Sequence, residues 1–301
     1  MKQIAIVSGK GGTGKTTVTA CLAELARPAV SADCDVDAAN LALLLQGEDG
    51  PQEAFFAGQR ALVDPALCDG CGLCSDACRF GAIMVGRGML AVVDEISCEG
   101  CKVCCTVCPV DAITMRPNLA GHMMVRQTDG GPLVHARLGI AQDNSGKLVA
   151  AVRQRARDEA TARGLDIVII DGPPGIGCPV HAAITGVDLV LAVTEPTPSG
   201  AHDLERLLEL TRSFQLKVAV LINKADLSER YAMEVERLAG AAGAVPLGRL
   251  PFDRKIPGLL ARRKTPLAGS AWEDELRASW RKVLGLLYDT GDPKEKRDAC
   301  C

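Results

Sequence analysis

The chain reads as α/β: a doubly wound, mostly parallel phosphate-loop sheet into which a small α+β domain is inserted. Three observations carry this. An apolar run, Ile4-Ala5-Ile6-Val7, leads into the glycine-rich loop Ser8–Thr17, and that loop opens a segment with apolar residues at helical spacing. After residue 119, short Val, Ile and Leu runs alternate with helical patterns as far as Tyr288, as parallel strands joined by helices require. Between those stretches, eight cysteines at regular intervals interrupt the alternation, so a second domain lies inside the first.

The first strand is short and wholly apolar, as a strand buried on both faces must be. The loop after it fits GxxxxGKT, in which glycines let successive N–H groups turn inward and the following helix adds its positive N-terminus. Gly11, Gly12, Thr13, Gly14, Lys15, Thr16 and Thr17 would then cradle phosphates, with Lys15 on the β- and γ-phosphates and the Thr16 hydroxyl on Mg²⁺. A second lysine, Lys10, lies in the same loop. Pro28–Ala32 reads as the next strand. It ends in Asp33-Cys34-Asp35-Val36-Asp37, three carboxylates in five residues, suited to handling Mg²⁺ and water.

Gly47-Glu48-Asp49-Gly50-Pro51 punctuates the chain, and the composition then changes. Past the cysteines, pieces around Met123–Val125 and Leu133–Ala136 predict a hairpin at Asp129-Gly130-Gly131, and a helix follows Asn144. The buried-type strand Leu165–Ile170 closes on Asp171, placed as a carboxylate that completes a Mg²⁺ shell, and Gly172-Pro173-Pro174-Gly175 follows it. Strands at Leu189–Val193, Lys217–Ile222 and Val245–Leu247 alternate with helices near 200–213 and 228–241. The last helix, near 271–288, aligns Leu276, Trp280, Val283, Leu284 and Leu287. Such sheets bind ligands at the carboxyl ends of their strands.

Cys68, Cys71, Cys74 and Cys78 follow C-x₂-C-x₂-C-x₃-C; Cys98, Cys101, Cys104 and Cys108 repeat it, with Pro109 next. Phe80-Gly81-Ala82-Ile83 matches Val110-Asp111-Ala112-Ile113 at the same offset, so the insertion is an internal duplication. The spacing is that of bacterial ferredoxins with two [4Fe–4S] clusters, in which the fourth cysteine of each run ligates the other cluster. It assigns Cys68, Cys71, Cys74 and Cys108 to one cluster and Cys98, Cys101, Cys104 and Cys78 to the other. Arg79 stands where a proline is usual, and Cys105 is an extra thiol beside a ligand. The expected boundaries are 1–48 and 119–290 for the discontinuous phosphate-loop domain, 49–118 for the ferredoxin-type insertion and 291–301 for a flexible polar tail ending in Cys300 and Cys301.

A net charge of −3, from 34 basic and 37 acidic residues, argues against a nucleic-acid binder. Neither a signal peptide nor a membrane span is visible, so a soluble, cytoplasmic protein is expected, with fourteen cysteines serving metal ligation rather than disulfides.

The run Lys10-Gly-Gly-Thr-Gly-Lys-Thr16 resembles the deviant Walker A loop of the MinD/ParA superfamily of dimeric ATPases, and with the cysteine insertion the chain resembles members that carry an inserted ferredoxin domain. The resemblance implies ATP hydrolysis in a nucleotide-dependent homodimer, or a heterodimer with a paralogue, in which Lys10 crosses to the partner's nucleotide. It makes Asp35 the residue that positions the attacking water and Asp171 the Walker B carboxylate. Asn223-Lys224-Ala225-Asp226 reads two ways. It resembles the guanine-reading NKxD of GTPases, yet this family places an asparagine here against adenine; the loop with Pro251 and Phe252 would flank that base, and ATP is expected. Cys178 and His181 lie near the expected subunit interface, where a bridging metal or ordinary packing are both open. Relatives include iron–sulfur carrier ATPases and the nitrogenase iron protein. By analogy the chain is expected to assemble or deliver metal–sulfur centres to an apo-metalloprotein. The alternatives are an ATP-gated, low-potential electron donor to a redox partner and, less favoured, a MinD-like spatial positioner.

Overall fold

A computed structural model describes residues 1–86, 88–139 and 145–288. The expected tail at 291–301, with Cys300 and Cys301, lies outside the described residues, as does Asn144. The chain divides into two compact units, one of residues 1–51, 124–136 and 149–301, the other of 52–123 and 137–148.

The chain opens with β1 (Lys2–Ser8), α1 (Lys15–Leu25), β2 (Val30–Asp33), α2 (Leu41–Leu44) and β3 (Gly47–Asp49). Next come β4 (Glu53–Val63), α3 (Leu73–Asp76), β5 (Ile83–Val85), β6 (Ala91–Val93) and α4 (Val103–Val107). A long strand, β7 (Ile113–Thr128), turns into β8 (Gly131–Leu138), and α5 (Ser145–Arg163) leads into β9 (Ile167–Pro174) and α6 (Cys178–Ile184). The remaining elements are β10 (Leu189–Thr194), α7 (Pro198–Ser213), β11 (Val218–Ile222), α8 (Glu229–Ala241), β12 (Val245–Arg249), α9 (Ile256–Ala261) and α10 (Glu273–Tyr288).

In the first unit the sheet runs β12-β11-β10-β1-β9-β2-β8-β7-β3, parallel from β12 through β8. β1 sits between β10 and β9 and is buried along almost its whole length, so Ile4 and Ile6 pack into the core with Val18, Leu22 and Leu189. This central position explains the unbroken apolar run, since a strand covered on both faces has no side facing water. The α10 stripe of Leu276, Trp280, Val283 and Leu287 is buried in the same core. Thr197 caps α7 by accepting the Gly200 N–H, and Ser228 caps α8 by accepting that of Tyr231. Among the described residues, no helix is long and apolar enough to cross a membrane.

The second unit is built on the antiparallel ladder of β4 with β7, from Glu53↔Met123 to Val63↔Ile113. The sequence reading contains no strand at 53–63, and its boundary between 118 and 119 falls inside β7. Two register shifts along the ladder, one with its extra residue in β4 and one in β7, break the alternation, and Pro117 with Asn118 disguises β7 as a turn. The duplication is visible in the backbone. Gly70 and Gly100, Gly72 and Lys102, and Gly81 and Asp111 all have positive φ, and each pair is separated by the same interval. Asp64 N–H donates to the Ala112 carbonyl and Asp94 N–H to that of Ala82, both at 2.7 Å, so each half bonds across to the other. Gly100 needs to be glycine, because a Cβ there would lie 2.1 Å from the Gln59 carbonyl oxygen.

Candidate functional site

The phosphate loop leaves the carboxyl end of β1 and feeds α1. Gly12 and Gly14 take φ of 81° and 89°. A Cβ on Gly14 would lie 2.4 Å from Asn223 Nδ2, so the close passage of loop under asparagine requires glycine. The end of β11 ties this loop down: the Asn223 amide donates to the Thr13 carbonyl at 2.7 Å and Lys224 Nζ to the Gly12 carbonyl at 3.1 Å. Thr13 Oγ1 is buried with no hydrogen-bond partner, which leaves one polar group of the loop to be satisfied by a ligand or solvent.

Asp171, fully buried, is the centre of the site. It accepts from Lys15 Nζ at 2.8 Å, Thr16 Oγ1 at 2.7 Å and Thr19 Oγ1 at 2.8 Å. Thr19 escaped the sequence reading, because nothing in the spacing says that a residue one turn along α1 reaches β9. Strand register places Asp33 opposite Asp171. Burial first, and then the Asp171 charge, push the Asp33 carboxyl up to about 8. Asp33 accepts the N–H groups of Asp35 (3.2 Å) and Leu41 (2.9 Å), bracketing the turn that carries Asp35. Asp35 approaches Lys15 at 3.7 Å; burial raises its pKa, with Lys15 working in the opposite direction. Lys15, Thr16, Asp35 and Asp171 are thus together, with the Lys15 charge placed between the two carboxylates.

Lys10 is held within its own chain. It forms an ion pair with Glu195 at 2.6 Å and donates to Ser199 Oγ at 2.8 Å. Glu195 also pairs with Lys224 at 3.0 Å; burial opposes its ionisation, but the two lysines outweigh it and hold its pKa below the usual value. Glu195 and Ser199 lie more than 180 positions from Lys10, and no local pattern could have linked them.

Beside the loop is a cavity of ≈ 180 Å³ lined by Gly14, Thr17, Asn223, Pro251, Phe252 and Trp272, among others. Trp272, which the sequence reading passed over, donates from Nε1 to the Pro251 carbonyl at 2.9 Å and so fixes the loop wall. Asp226 is spent differently: its carboxylate accepts the Phe252 N–H at 2.6 Å and is not among the cavity's lining residues.

In the second unit the cysteines fall into two cavities. Cys78, Cys98, Cys101 and Cys104 line one with Ala61, Ile83 and Met115; Cys68, Cys71, Cys74 and Cys108 line the other with Ala91, Ala112 and Ile113. This is the crossed partition that the spacing assigns. Cys105 lines neither cavity. Burial, with Cys105 adding to it, pushes the Cys104 thiol up to about 12, and burial also raises Cys74. Among the described residues, no group of three or more His, Cys, Asp or Glu is arranged to hold a metal ion. Cys178 and His181 are both exposed on α6, where His181 meets Phe214 edge-on at 5.6 Å. Cys34, between Asp33 and Asp35, is buried, and burial raises its pKa.

Comparison with known proteins agrees with the sheet and the loop. The CobQ/CobB/MinD/ParA nucleotide binding domain matches residues 4–267. The uncharacterized protein MJ0578 of Methanocaldococcus jannaschii is 34% identical over 87% of this chain and 88% of its own length. A putative septum site-determining protein MinD of Nephroselmis olivacea is 24% identical over 94% and 87% respectively. Among solved structures, the septum site-determining protein MinD of Pyrococcus horikoshii, complexed with Mg-ADP, covers 94% of this chain and 95% of its own. It is 20% identical, with a TM-score of 0.56, and so shares the fold. Because the nucleotide binding domain matches residues 4–267, most of its length, the chain belongs to the CobQ/CobB/MinD/ParA family of nucleotide-binding domains, on a P-loop ATPase fold.

Proposed function

We propose that this protein is a dimerising ATPase whose second unit is a ferredoxin-like domain with two [4Fe–4S] clusters, and that nucleotide state governs the assembly or delivery of metal–sulfur centres on a partner protein. The observation that carries the metal–sulfur half is the partition of eight cysteines into two cavities of four, with apolar walls and positive-φ backbone positions that recur at one fixed interval. Four thiolates around one metal ion would stand about 3.8 Å apart, given metal–sulfur bonds of about 2.3 Å. A four-iron cube takes one thiolate per iron and spreads the sulfurs wider, so a set unsuited to a single ion remains suited to a cluster. Cys68, Cys71, Cys74 and Cys108 would hold one cluster, and Cys98, Cys101, Cys104 and Cys78 the other. The clusters would supply one-electron chemistry and labile iron and sulfide.

In the nucleotide half, Lys15 and the loop N–H groups would bind the β- and γ-phosphates, with Mg²⁺ between Thr16 and Asp171. Asp35 would orient the attacking water. Asn223 and the Pro251–Phe252 wall would meet adenine, with Trp272 and Asp226 bracing that wall. The Asp226 carboxylate, occupied by the Phe252 N–H, supports the choice of ATP over GTP. Lys10, as the lysine of a deviant Walker A loop, would leave Glu195 and Ser199 to reach the partner's nucleotide. The chain passes from Asp35 into the second unit at Gln52, so movement of the Asp35 turn on nucleotide binding would have a covalent route to that unit.

Sedimentation of the anaerobic protein tests the dimer directly. With Mg²⁺ and a non-hydrolysable ATP analogue the wild type is expected to dimerise and Lys10→Ala to stay monomeric; a wild type monomeric at saturating analogue would overturn the proposal. One observation favours ATP-gated electron donation as the second reading: each set of four thiols comes from one unit, which suits a fixed relay. The MinD-like positioner is less favoured, because the α10 apolar stripe is already buried.

A further inference from the structure

Away from both cysteine cavities, the outer face of the β4–β7 ladder carries a feature that neither nucleotide nor cluster chemistry uses. Arg60 and Arg116 are register partners, directly opposite one another on the two strands. Like charges so placed repel, and a ladder that keeps them needs something to offset the repulsion. Arg116 is offset by a short contact to Glu95. Arg60 has no carboxylate within ion-pair distance among the described residues, although its charge reaches the Asp94 carboxylate and helps hold that pKa below the usual value. Arg60 is 7% exposed, its Nε donates to Asn118 Oδ1 at 2.6 Å, and its Nη1 is buried without a hydrogen-bond partner. A buried guanidinium N–H without an acceptor is costly, and Nη1 leaves one donor of Arg60 for a further acceptor to meet.

Both arginines line one cavity of ≈ 460 Å³. Its other lining residues are Glu95 and Asn118 and an apolar set, Phe56, Ile96, Pro117 and Leu119. Among the lining residues two arginines face one glutamate, with the Asp94 carboxylate near enough to feel Arg60, so the anion-binding argument rests on the paired guanidinium donors and not on net charge. The guanidinium fork matches a carboxylate in plane and can bind it bidentately, whereas the apolar walls suit an aliphatic substituent. Phe56, Ile96 and Leu119 are exposed large apolar side chains, at 57%, 65% and 44%. An aliphatic group seated between them would be taken out of water together with them.

We propose that this cavity is a binding site for a small aliphatic carboxylate, its oxygens bridging Arg60 and Arg116 and its hydrocarbon lying against Phe56, Ile96 and Leu119. The site rests on arginines, register and lining residues, and stands whether or not the cysteines carry clusters. It has a place to act. Ala61 and Met115, the next pair along the same ladder, line the cavity of Cys78, Cys98, Cys101 and Cys104, and successive strand residues face opposite sides. A carboxylate on the outer face therefore sits one residue away from the thiol-lined face.

The test is calorimetric titration of the full chain, prepared anaerobically, with sodium isovalerate at constant ionic strength, and with the neutral isovaleramide as control. Saturable binding of isovalerate and not of isovaleramide is expected, weakened at least tenfold in Arg60→Gln and in Arg116→Gln. Because the phosphate loop is itself an anion site, the titration is repeated with excess Mg-ADP, which is expected to leave the affinity unchanged. If Arg60→Gln does not fold, as judged by circular dichroism, the half-exposed Arg116→Gln carries the comparison. Absence of saturable binding, equal binding of isovaleramide, equal affinity in Arg116→Gln, or competition by Mg-ADP would each overturn the proposal.

Discussion

Lys15→Ala is expected to lower the rate of ATP hydrolysis by a factor of about 10² to 10³, the usual consequence of removing one preorganised positive group from charge that develops in the transition state. The loss has a second source that the geometry makes specific. Lys15 is 6% exposed, bonded to a fully buried Asp171 and 3.7 Å from Asp35. Removing it leaves buried carboxylates without their counter-charge, which typically costs about 3–5 kcal/mol. The variant should therefore melt at a lower temperature even without nucleotide, while keeping its far-ultraviolet circular dichroism at low temperature. Steady-state phosphate release and a thermal melt on the same preparation check both effects. Wild-type turnover in Lys15→Ala would remove this loop from the chemistry altogether.

Single cysteine-to-serine changes should divide the metal content in half. With two [4Fe–4S] clusters the anaerobically reconstituted wild type would carry roughly eight irons per chain. Cys104→Ser, which alters the cavity shared with Cys78, Cys98 and Cys101, is expected to lower this to roughly four. Cys74→Ser should do the same through the other cavity, and the pair together should abolish the visible absorption of the clusters. Cys105→Ser lines neither cavity and is expected to leave iron content unchanged. Iron and sulfide assays decide this. A wild type that retains less than one iron per chain after reconstitution would refute the cluster reading, and a loss in Cys105→Ser equal to that in Cys104→Ser would refute the partition.

What was legible from sequence follows a physical rule. Buried parallel strands announce themselves because they have no polar face, so Ile4–Val7, Ile167–Ile170 and Leu189–Val193 could be placed from composition alone. Amphipathic helices are legible for the converse reason, as the α7 face of Leu204, Leu207, Leu208 and Thr211 illustrates. The duplicated spacing groups the same cysteines that line each cavity. By contrast, β4 is mostly exposed and its ladder shifts register twice, so its alternation is lost, and β7 runs through a proline. Contacts between distant strands were also beyond reach. The Lys10–Glu195 pair, the Thr19–Asp171 bond and the Arg60–Arg116 apposition all depend on tertiary placement or strand register, which no local window contains. The Asp33 carboxyl was visible as part of an acidic turn, but its burial opposite Asp171 was not.

The central claim is that nucleotide state is transmitted to the metal–sulfur unit. The measurement that tests it most directly is the rate at which a chelator removes iron from the anaerobic, reconstituted protein, compared without nucleotide, with Mg-ADP and with a non-hydrolysable ATP analogue. The account predicts that the rate with the ATP analogue differs severalfold from the other two, and that Lys10→Ala abolishes the difference. Identical rates in all three states, in a protein shown to bind the analogue, would contradict it.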